Sequence, residues 1–424
     1  MNFGLGMLAG TQLLAGLALQ LLVLRIVGAG PLTDAFVAAQ TVPMVMSAML
    51  SMLLLAVWGP KLSVAADDAA DWRATHRTAQ GQVLLCAMPI AVIGWATTTL
   101  WLPLLFSDFT PQQQAMVEIM SPPLFASAVL TTHIAMMLTA QRARSHFYLA
   151  ELLSLICMLL ALALLAYWLP KAGIEVTAWV TLLRSFLVAS VLYRLSDSPA
   201  PDVITAIRAH NAWRQLRAMM TGAALQKSNP VVERYWSAQG PSPGVTLLAI
   251  AQTTITAVAS VLERAVCVPM APRIARSIAA RDYAEAGVLY RRGISQILLV
   301  VIAVGVVVTL LQPTWNSLFN WLLHMPPAHA NQVWCFSLLL LGYLLVGAAG
   351  PVVVAVFYAF GNTSTPARVS TAGFFVGLAL KSIGFLWWGL PGLAAAMSLG
   401  HLFNLVTLCV LAELTLHQHQ THEG

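Results

Sequence analysis

The residues that could do chemistry in this sequence are charged side chains inside long apolar stretches. Lys227 and Arg234 are seven positions apart in KSNPVVER, which is about two turns of an α-helix, so one continuous helix would carry both cations on one face. Two cations facing a cavity suit a phosphate or pyrophosphate, and Arg264 could assist them. We therefore predict an anion-binding site at Lys227, Arg234 and Arg264.

Acidic residues accompany these cations and leave a second hypothesis open. Glu233 precedes Arg234 and Glu263 precedes Arg264. Successive helical residues point about 100° apart, so each acid could neutralise a base on another helix instead of its neighbour. Two further charges flank the short turn VGAGPLT and could pair across it. Structural ion pairs or a coupling role are therefore alternatives to ligand binding at Arg25, Asp34, Glu233 and Glu263.

The sequence contains no motif for enzyme chemistry. It lacks a phosphate-binding loop, an HExxH helix and a GxSxG nucleophile elbow. The five cysteines have no CxxC spacing, so we expect neither disulfides nor bound zinc. His133 and His401 fall inside apolar stretches, where a hydrogen-bonded structural role is favoured over proton coupling. We predict no catalytic residue, no metal and no cofactor, and hence a protein that is not an enzyme.

Composition places these side chains in a membrane protein. Hydrophobic residues make up 59% of the chain and charged residues 9%, whereas soluble domains carry roughly 25% charged residues. A helix needs about 20 apolar residues to cross a bilayer. Twelve stretches come near this length, at residues 3–29, 34–58, 80–106, 114–140, 146–169, 174–195, 217–239, 244–271, 291–312, 331–360, 366–389 and 391–416. The seventh stretch is unusually polar and contains the predicted site.

The twelve stretches indicate an internal repeat of one six-helix unit. PLTDAFVAAQTV at residues 31–42 matches PGVTLLAIAQTT at residues 243–254, an offset of 212 positions, and Pro60-Lys61-Leu62 matches Pro272-Arg273-Ile274 at the same offset. Because six crossings return the chain to its starting side, the two copies are expected to be parallel repeats. We predict an all-α polytopic membrane protein with about 12 transmembrane helices in two six-helix lobes.

Positive charge predicts the orientation of the chain. Most of the 22 lysines and arginines follow the even-numbered stretches, and the positive-inside rule then places both termini in the cytoplasm. The formal net charge of +6 is therefore a topology signal, and we expect no nucleic acid partner. The predicted domains are an N-terminal lobe at residues 1–195, a cytoplasmic amphipathic linker at residues 196–216 and a C-terminal lobe with a short polar tail at residues 217–424.

One segment resembles a known family. LRIVGAGPLTDAFVAAQTVP, at residues 24–43, is similar to the hallmark of the MviN/MurJ family of lipid II flippases, within the multidrug/oligosaccharidyl-lipid/polysaccharide exporter superfamily. The matching elements are Arg25, Gly28-Ala29-Gly30, Thr33-Asp34-Ala35-Phe36 and Pro43. The segment at residues 229–252 resembles the corresponding second-lobe region. The resemblance implies a multi-pass protein of a bacterial-type cytoplasmic membrane that moves a lipid-linked saccharide by alternating access.

Departures from the family pattern bear on the substrate. The family's cavity arginines fall near Leu13, Leu19, Ser47 and Thr253, and none of these residues is basic. The resemblance also ends at the twelfth predicted helix, without the family's final pair. These differences favour an exopolysaccharide repeat unit over a peptidoglycan precursor of the lipid II type.

The sequence therefore predicts a flippase for a polyprenyl-pyrophosphate-linked saccharide. Its expected partners are that lipid-linked glycan, membrane lipids and glycan-assembly enzymes. A drug or cation antiporter of the same superfamily is one alternative, although the first helix lacks the acid that ion exchange would need. A non-transporting scaffold for glycan assembly is the other.

Overall fold

The protein is helical throughout the part of the chain that the computed structural model describes. The described residues are 3–66, 68–144, 147–195, 200–362 and 364–423. Within them the regular secondary structure is entirely helical, which confirms the predicted all-α fold. The chain forms two compact units, Met1–Val245 and Thr246–Gly424.

The first unit is built from long helices joined by short connections. In chain order they are α1 (Phe3–Val27), α2 (Pro31–Ala65), α3 (Ala69–Ala96), α4 (Thr98–Leu105), α5 (Pro111–Ala143), α6 (Phe147–Ala172), α7 (Val176–Leu195), α8 (Val203–Arg208), α9 (His210–Lys227) and α10 (Asn229–Ala238). A core of aliphatic side chains, including Leu54, Val83 and Met136, lies between α2, α3 and α5. This packing fixes α2, which carries the family-like segment.

The second unit continues with the same kind of elements. They are α11 (Gly244–Leu262), a π-helical turn (Glu263–Cys267), α12 (Val268–Ala279), α13 (Tyr283–Leu310), α14 (Gln312–Leu323), α15 (Pro327–Leu339), α16 (Leu341–Ala359) and α17 (Ser364–Glu423). α17 is two arms that meet at Gly389, where φ is 62° and the backbone is not helical. A side chain on Gly384 would collide with the carbonyl of Gly392, so the two arms run back along each other as a hairpin.

Ten helices of the described chain are long and apolar enough to cross a membrane. They account for eleven of the twelve predicted stretches, because α17 contains two of them on either side of Gly389. The remaining stretch is the polar seventh, which forms α9 and α10 and does not meet the length and hydropathy of a span. The sequence therefore placed eleven of the twelve stretches correctly. The seventh stretch, which is unusually polar in composition, is also the one that does not form a candidate span.

The internal repeat is visible in the order of the helices. At the predicted offset α2 corresponds to the span Gly244–Ala279, and α3 corresponds to α13. α5 corresponds in the same way to α15 and α16, and each pair starts within a few positions of the offset. The interrupted pair α9–α10 takes the place that α1 has in the first copy. The repeat is thus carried by whole elements and not only by a few matching residues.

The predicted linker packs on the first unit where the structure describes it. Residues 196–199 lie outside the described residues, and α8 follows them. The amide of Asp202 donates to the carbonyl oxygen of Arg77 in α3 at 3.1 Å, and Gly81 leaves room for the Asp202 carbonyl. α9 and α10 pack on α2. The first compact unit therefore continues to Val245, past the predicted lobe boundary at residue 195.

One glycine of the α1–α2 turn requires its lack of a side chain. Gly28 has φ of 84°, in the left-handed region that L-residues avoid. Gly30, with φ of −174°, is extended and caps α2. The Thr33 hydroxyl donates to the Gly30 carbonyl oxygen at 2.9 Å and closes this end of the helix.

Candidate functional site

The polar segment that carries the predicted anion site is interrupted at Ser228. Pro230 has no amide hydrogen to donate to the carbonyl four residues earlier, and the Ser228 hydroxyl donates to the carbonyl oxygen of Ala224 at 2.6 Å. Lys227 therefore ends α9, whereas Arg234 belongs to α10. The two cations lie on two helices instead of the single continuous helix that was expected. Among the described residues Lys227 has no ion-pair partner.

α10 brings an acid and a base into the interior of the first unit. Glu233 is 4% exposed, and Arg234 is partly buried with Nη1 3.5 Å from the carbonyl oxygen of Val245. Charged groups at such depth are costly unless polar neighbours compensate them. Both residues make further polar contacts, so this end of α10 is a polar site within an otherwise apolar protein.

Asp34 is buried at the start of α2 and contacts the connection between α10 and α11. It is 2% exposed, and its Oδ2 accepts a hydrogen bond from the Ser242 hydroxyl at 2.8 Å. Arg25 is exposed and forms no ion pair with a described residue. The structure shows no ion pair between Arg25 and Asp34 among the described residues, and the Asp34 carboxylate accepts a hydrogen bond from Ser242.

The remaining predicted site residues lie in the π-helical turn of the second unit. Arg264 is exposed and Glu263 is partly buried. Neither has an ion-pair partner in the described part of the chain, so the predicted neutralisation of Glu263 by a base on another helix is not observed. Pro269 follows the turn and cannot bond to the carbonyl four residues before it, which accounts for the widened winding.

Two ion pairs that the sequence did not predict each join an exposed arginine to a partly buried glutamate. Arg142 of α5 pairs with Glu151 of α6 at 2.8 Å. Arg291 of α13 binds both carboxylate oxygens of Glu413 in α17, at 2.9 and 2.7 Å. Their partners come from different helices, so only tertiary packing could identify them. Exposed pairs of this kind contribute little to binding or stability.

A buried polar cluster between α2, α3 and α5 was also missed. The Trp58 indole donates to Oε1 of Gln82 at 2.6 Å, and Nε2 of Gln80 lies 3.0 Å from Nε2 of His76. His76, Gln80 and Gln82 are completely buried. The helical spacing of polar residues in HRTAQGQ was the available signal. No group of three or more His, Cys, Asp or Glu side chains suited to a metal occurs among the described residues.

Comparison with known proteins identifies the family. Residues 23–423 match the family described as "Lipid II flippase MurJ". The chain belongs to the MurJ family. Members of this family are flippases and not enzymes, so the prediction of a non-catalytic transporter is confirmed. Together with the apolar helices, membership also identifies a multi-pass protein of the inner membrane.

Solved structures share the MurJ-type fold at low sequence identity. A lipid II flippase MurJ in an inward closed conformation has a TM-score of 0.81 and 13% identity, over 97% of this chain and 87% of that chain. An inward-facing MATE multidrug resistance transporter of the MOP superfamily has a TM-score of 0.78 and 14% identity, over 98% and 96%.

The Vibrio cholerae MATE transporter VcmN in its bent form has a TM-score of 0.66 and 15% identity, over 98% of this chain and 96% of that chain. At these identities the likeness establishes the fold. The chain has no significant match among curated protein sequences.

Proposed function

We propose that this MurJ-family protein moves a polyprenyl-pyrophosphate-linked saccharide across the cytoplasmic membrane by alternating access. The observation that carries the proposal is the family match over residues 23–423, which spans both compact units. A flippase needs polar groups within an apolar bundle to receive a polar head group. The interrupted α9–α10 segment supplies such groups in the first unit.

Lys227 and Arg234 are the cations that we assign to the substrate's pyrophosphate, and Arg264 is a further candidate for the same role. Lys227 is partly buried and has no ion pair among the described residues. Arg234 lies in the same polar segment. Hydrogen bonds from cations to phosphate oxygens are short and strong, and a guanidinium can make two at once. Glu233 then acts by orienting or neutralising a cation instead of contacting the anionic substrate.

The substrate that we favour is a lipid-linked saccharide other than lipid II, such as an exopolysaccharide repeat unit. Residues at the positions of the family's cavity arginines are uncharged, and two of them lie on the first helix. Leu13 and Leu19 are partly buried there. The hydroxyl of Ser47 donates a hydrogen bond to the carbonyl oxygen of Met44 within α2. Fewer cations at these places suit a head group with a different distribution of negative charge.

The test compares Lys227→Gln and Arg234→Gln with the wild type for affinity toward a polyprenyl-pyrophosphate saccharide in detergent. Loss of a charge-assisted hydrogen bond removes about 1.5–3 kcal/mol, so we expect affinity to fall roughly 10- to 100-fold. Thermal stability should change little. Arg292→Gln, which removes an exposed cation of α13, is the matched control and should bind normally.

A loss of stability with affinity unchanged in the folded fraction would contradict the assigned site. Flipping of the labelled saccharide lipid in proteoliposomes tests the function itself. A drug or cation antiporter is the second candidate, since a MATE transporter shares the fold over nearly the whole chain. Drug uptake driven by an ion gradient, without saccharide-lipid movement, would favour that candidate.

A further inference from the structure

Arg184 is a cation at mid-depth of α7 that no proposed site has used. It lies eight residues from Val176 and eleven from Leu195, or about 12 and 16 Å along the helix axis. Val180 and Val188, one turn before and after it, are both buried. Residues four apart share a helix face, so the guanidinium is directed into the first unit and not toward lipid.

The hydrogen-bond partner of Arg184 is a weak one. Its Nη1 lies 3.4 Å from the sulfur of Met158 in α6, and a thioether is a poor acceptor. Met158 in turn packs close to Gly16 of α1, so the guanidinium lies where α1, α6 and α7 meet. The nearby titratable group is the thiol of Cys157, which is also buried.

No carboxylate among the described residues pairs with Arg184. Helices α5 and α6 pack on α7, and they carry two acids. Glu151 of α6 is paired with Arg142 at 2.8 Å, and Glu118 of α5 is exposed. A cation at the centre of a spanning helix is costly to insert into the membrane unless a partner or a wet cavity compensates it. Nothing in the described part of the first unit offsets that cost with opposite charge.

The depth of Arg184 restricts the kind of anion it would meet. Phosphates of ordinary bilayer lipids stay in the head-group layer, at the edge of a hydrocarbon core about 30 Å thick. A flipped lipid, by contrast, must carry its phosphates through the middle of the membrane. We propose that Arg184 binds the pyrophosphate of the lipid-linked substrate at mid-crossing. This inference rests on the proposed function and adds a second cationic binding site to the one proposed at Lys227 and Arg234.

The experiment measures binding of undecaprenyl pyrophosphate to purified protein in detergent. Arg184→Gln should weaken binding roughly 10-fold or more, because a guanidinium can donate two hydrogen bonds to one phosphate group. Arg184→Lys should recover part of the loss. Thermal stability of Arg184→Gln should be equal to or above wild type, because the change removes a partly buried charge that has no carboxylate partner among the described residues. Met158→Leu removes the sulfur at similar volume and should bind normally.

The outcomes separate this inference from the proposed function. Equal affinity of Arg184→Gln and wild type would overturn the role of Arg184 and leave the flippase intact. Lower stability of Arg184→Gln with unchanged affinity would show a structural residue instead. Wild-type protein that binds undecaprenyl phosphate and undecaprenyl pyrophosphate no better than an ordinary phospholipid would overturn both proposals. An equal loss of phospholipid binding in Arg184→Gln would identify a bilayer lipid as the ligand and contradict the transported pyrophosphate.

Discussion

At the scale of single residues, the cations of this protein fall into two groups, those with an ion-pair partner and those without one among the described residues. Arg142 and Arg291 are exposed and each is paired with a glutamate. Lys227, Arg264 and Arg184 have no ion pair among the described residues. Paired charges at helix ends stabilise packing only slightly, whereas unpaired charges inside a membrane usually face a ligand or a wet cavity. We assign the substrate to these three cations and to Arg234, which lies beside the buried Glu233 in α10.

The Ser242 hydroxyl gives a prediction about stability at this scale. It donates to the buried carboxylate of Asp34 at 2.8 Å, so Ser242→Ala should lower the free energy of unfolding by about 1–3 kcal/mol. Ser63→Ala is the control, because that exposed hydroxyl bonds only within its own helix. Melting curves in detergent should show a lower midpoint for Ser242→Ala alone. Equal midpoints for the two variants would mean that Asp34 does not depend on Ser242.

At the scale of elements, three helix interruptions lie beside a proline or glycine. Ser228 separates α9 from α10 just before Pro230, the π-helical turn precedes Pro269, and α17 reverses at Gly389. Two of these interruptions hold predicted site residues. Breaks free backbone groups and widen space between side chains. The polar site is thus placed by local chain chemistry as much as by the charges themselves.

The α1–α2 turn gives the prediction for this scale. Gly28→Ser should destabilise the protein by about 1–2 kcal/mol, because the residue has φ of 84° and a side chain is disfavoured there. Gly30→Ser is the matched control, since Gly30 is extended and serine is a favoured helix cap. Neither glycine has neighbours that would collide with a new Cβ. Folded yield and melting midpoint should fall for Gly28→Ser, and an equal effect of both changes would refute the backbone explanation.

At the scale of the whole molecule, one six-helix plan is used twice along the chain. The second copy repeats the order of α2, α3 and α5, and differs from the first where α9–α10 replaces the apolar α1. The segment to which we assign the substrate therefore lies where the two copies differ.

Membrane orientation is the prediction at this scale. With the five native cysteines replaced, single cysteines at Asp108 and Arg208 should label from opposite faces of the membrane. An impermeant thiol reagent on intact cells should reach Asp108→Cys, and Arg208→Cys should react only after permeabilisation. Both positions are exposed. Reaction of both in intact cells would show that the positive-inside rule fails for this chain.

Composition and apolar length were sufficient to predict the all-α membrane class and eleven of the twelve stretches, and the resemblance of the hallmark segment indicated the family. Apolar length determines which segments can span a bilayer, and the spans coincide with most of the predicted stretches. The hallmark segment around Asp34 was decisive because its glycines and polar residues are rare within apolar helices. Apolar length and short motifs depend on neighbouring residues only, so they can be identified from the sequence alone.

Partnerships between charges were decided only by the tertiary structure. Asp34 contacts Ser242, which lies 208 positions away, and not Arg25 across the turn. Arg291 pairs with Glu413, which lies 122 positions away. Arg184 contacts the sulfur of Met158 and not a carboxylate. Whether an intramembrane charge is neutralised depends on which helices pack together and on their rotation. Helix rotation follows from side-chain packing over the whole unit, so spacing along the chain could nominate the charged residues but not their partners.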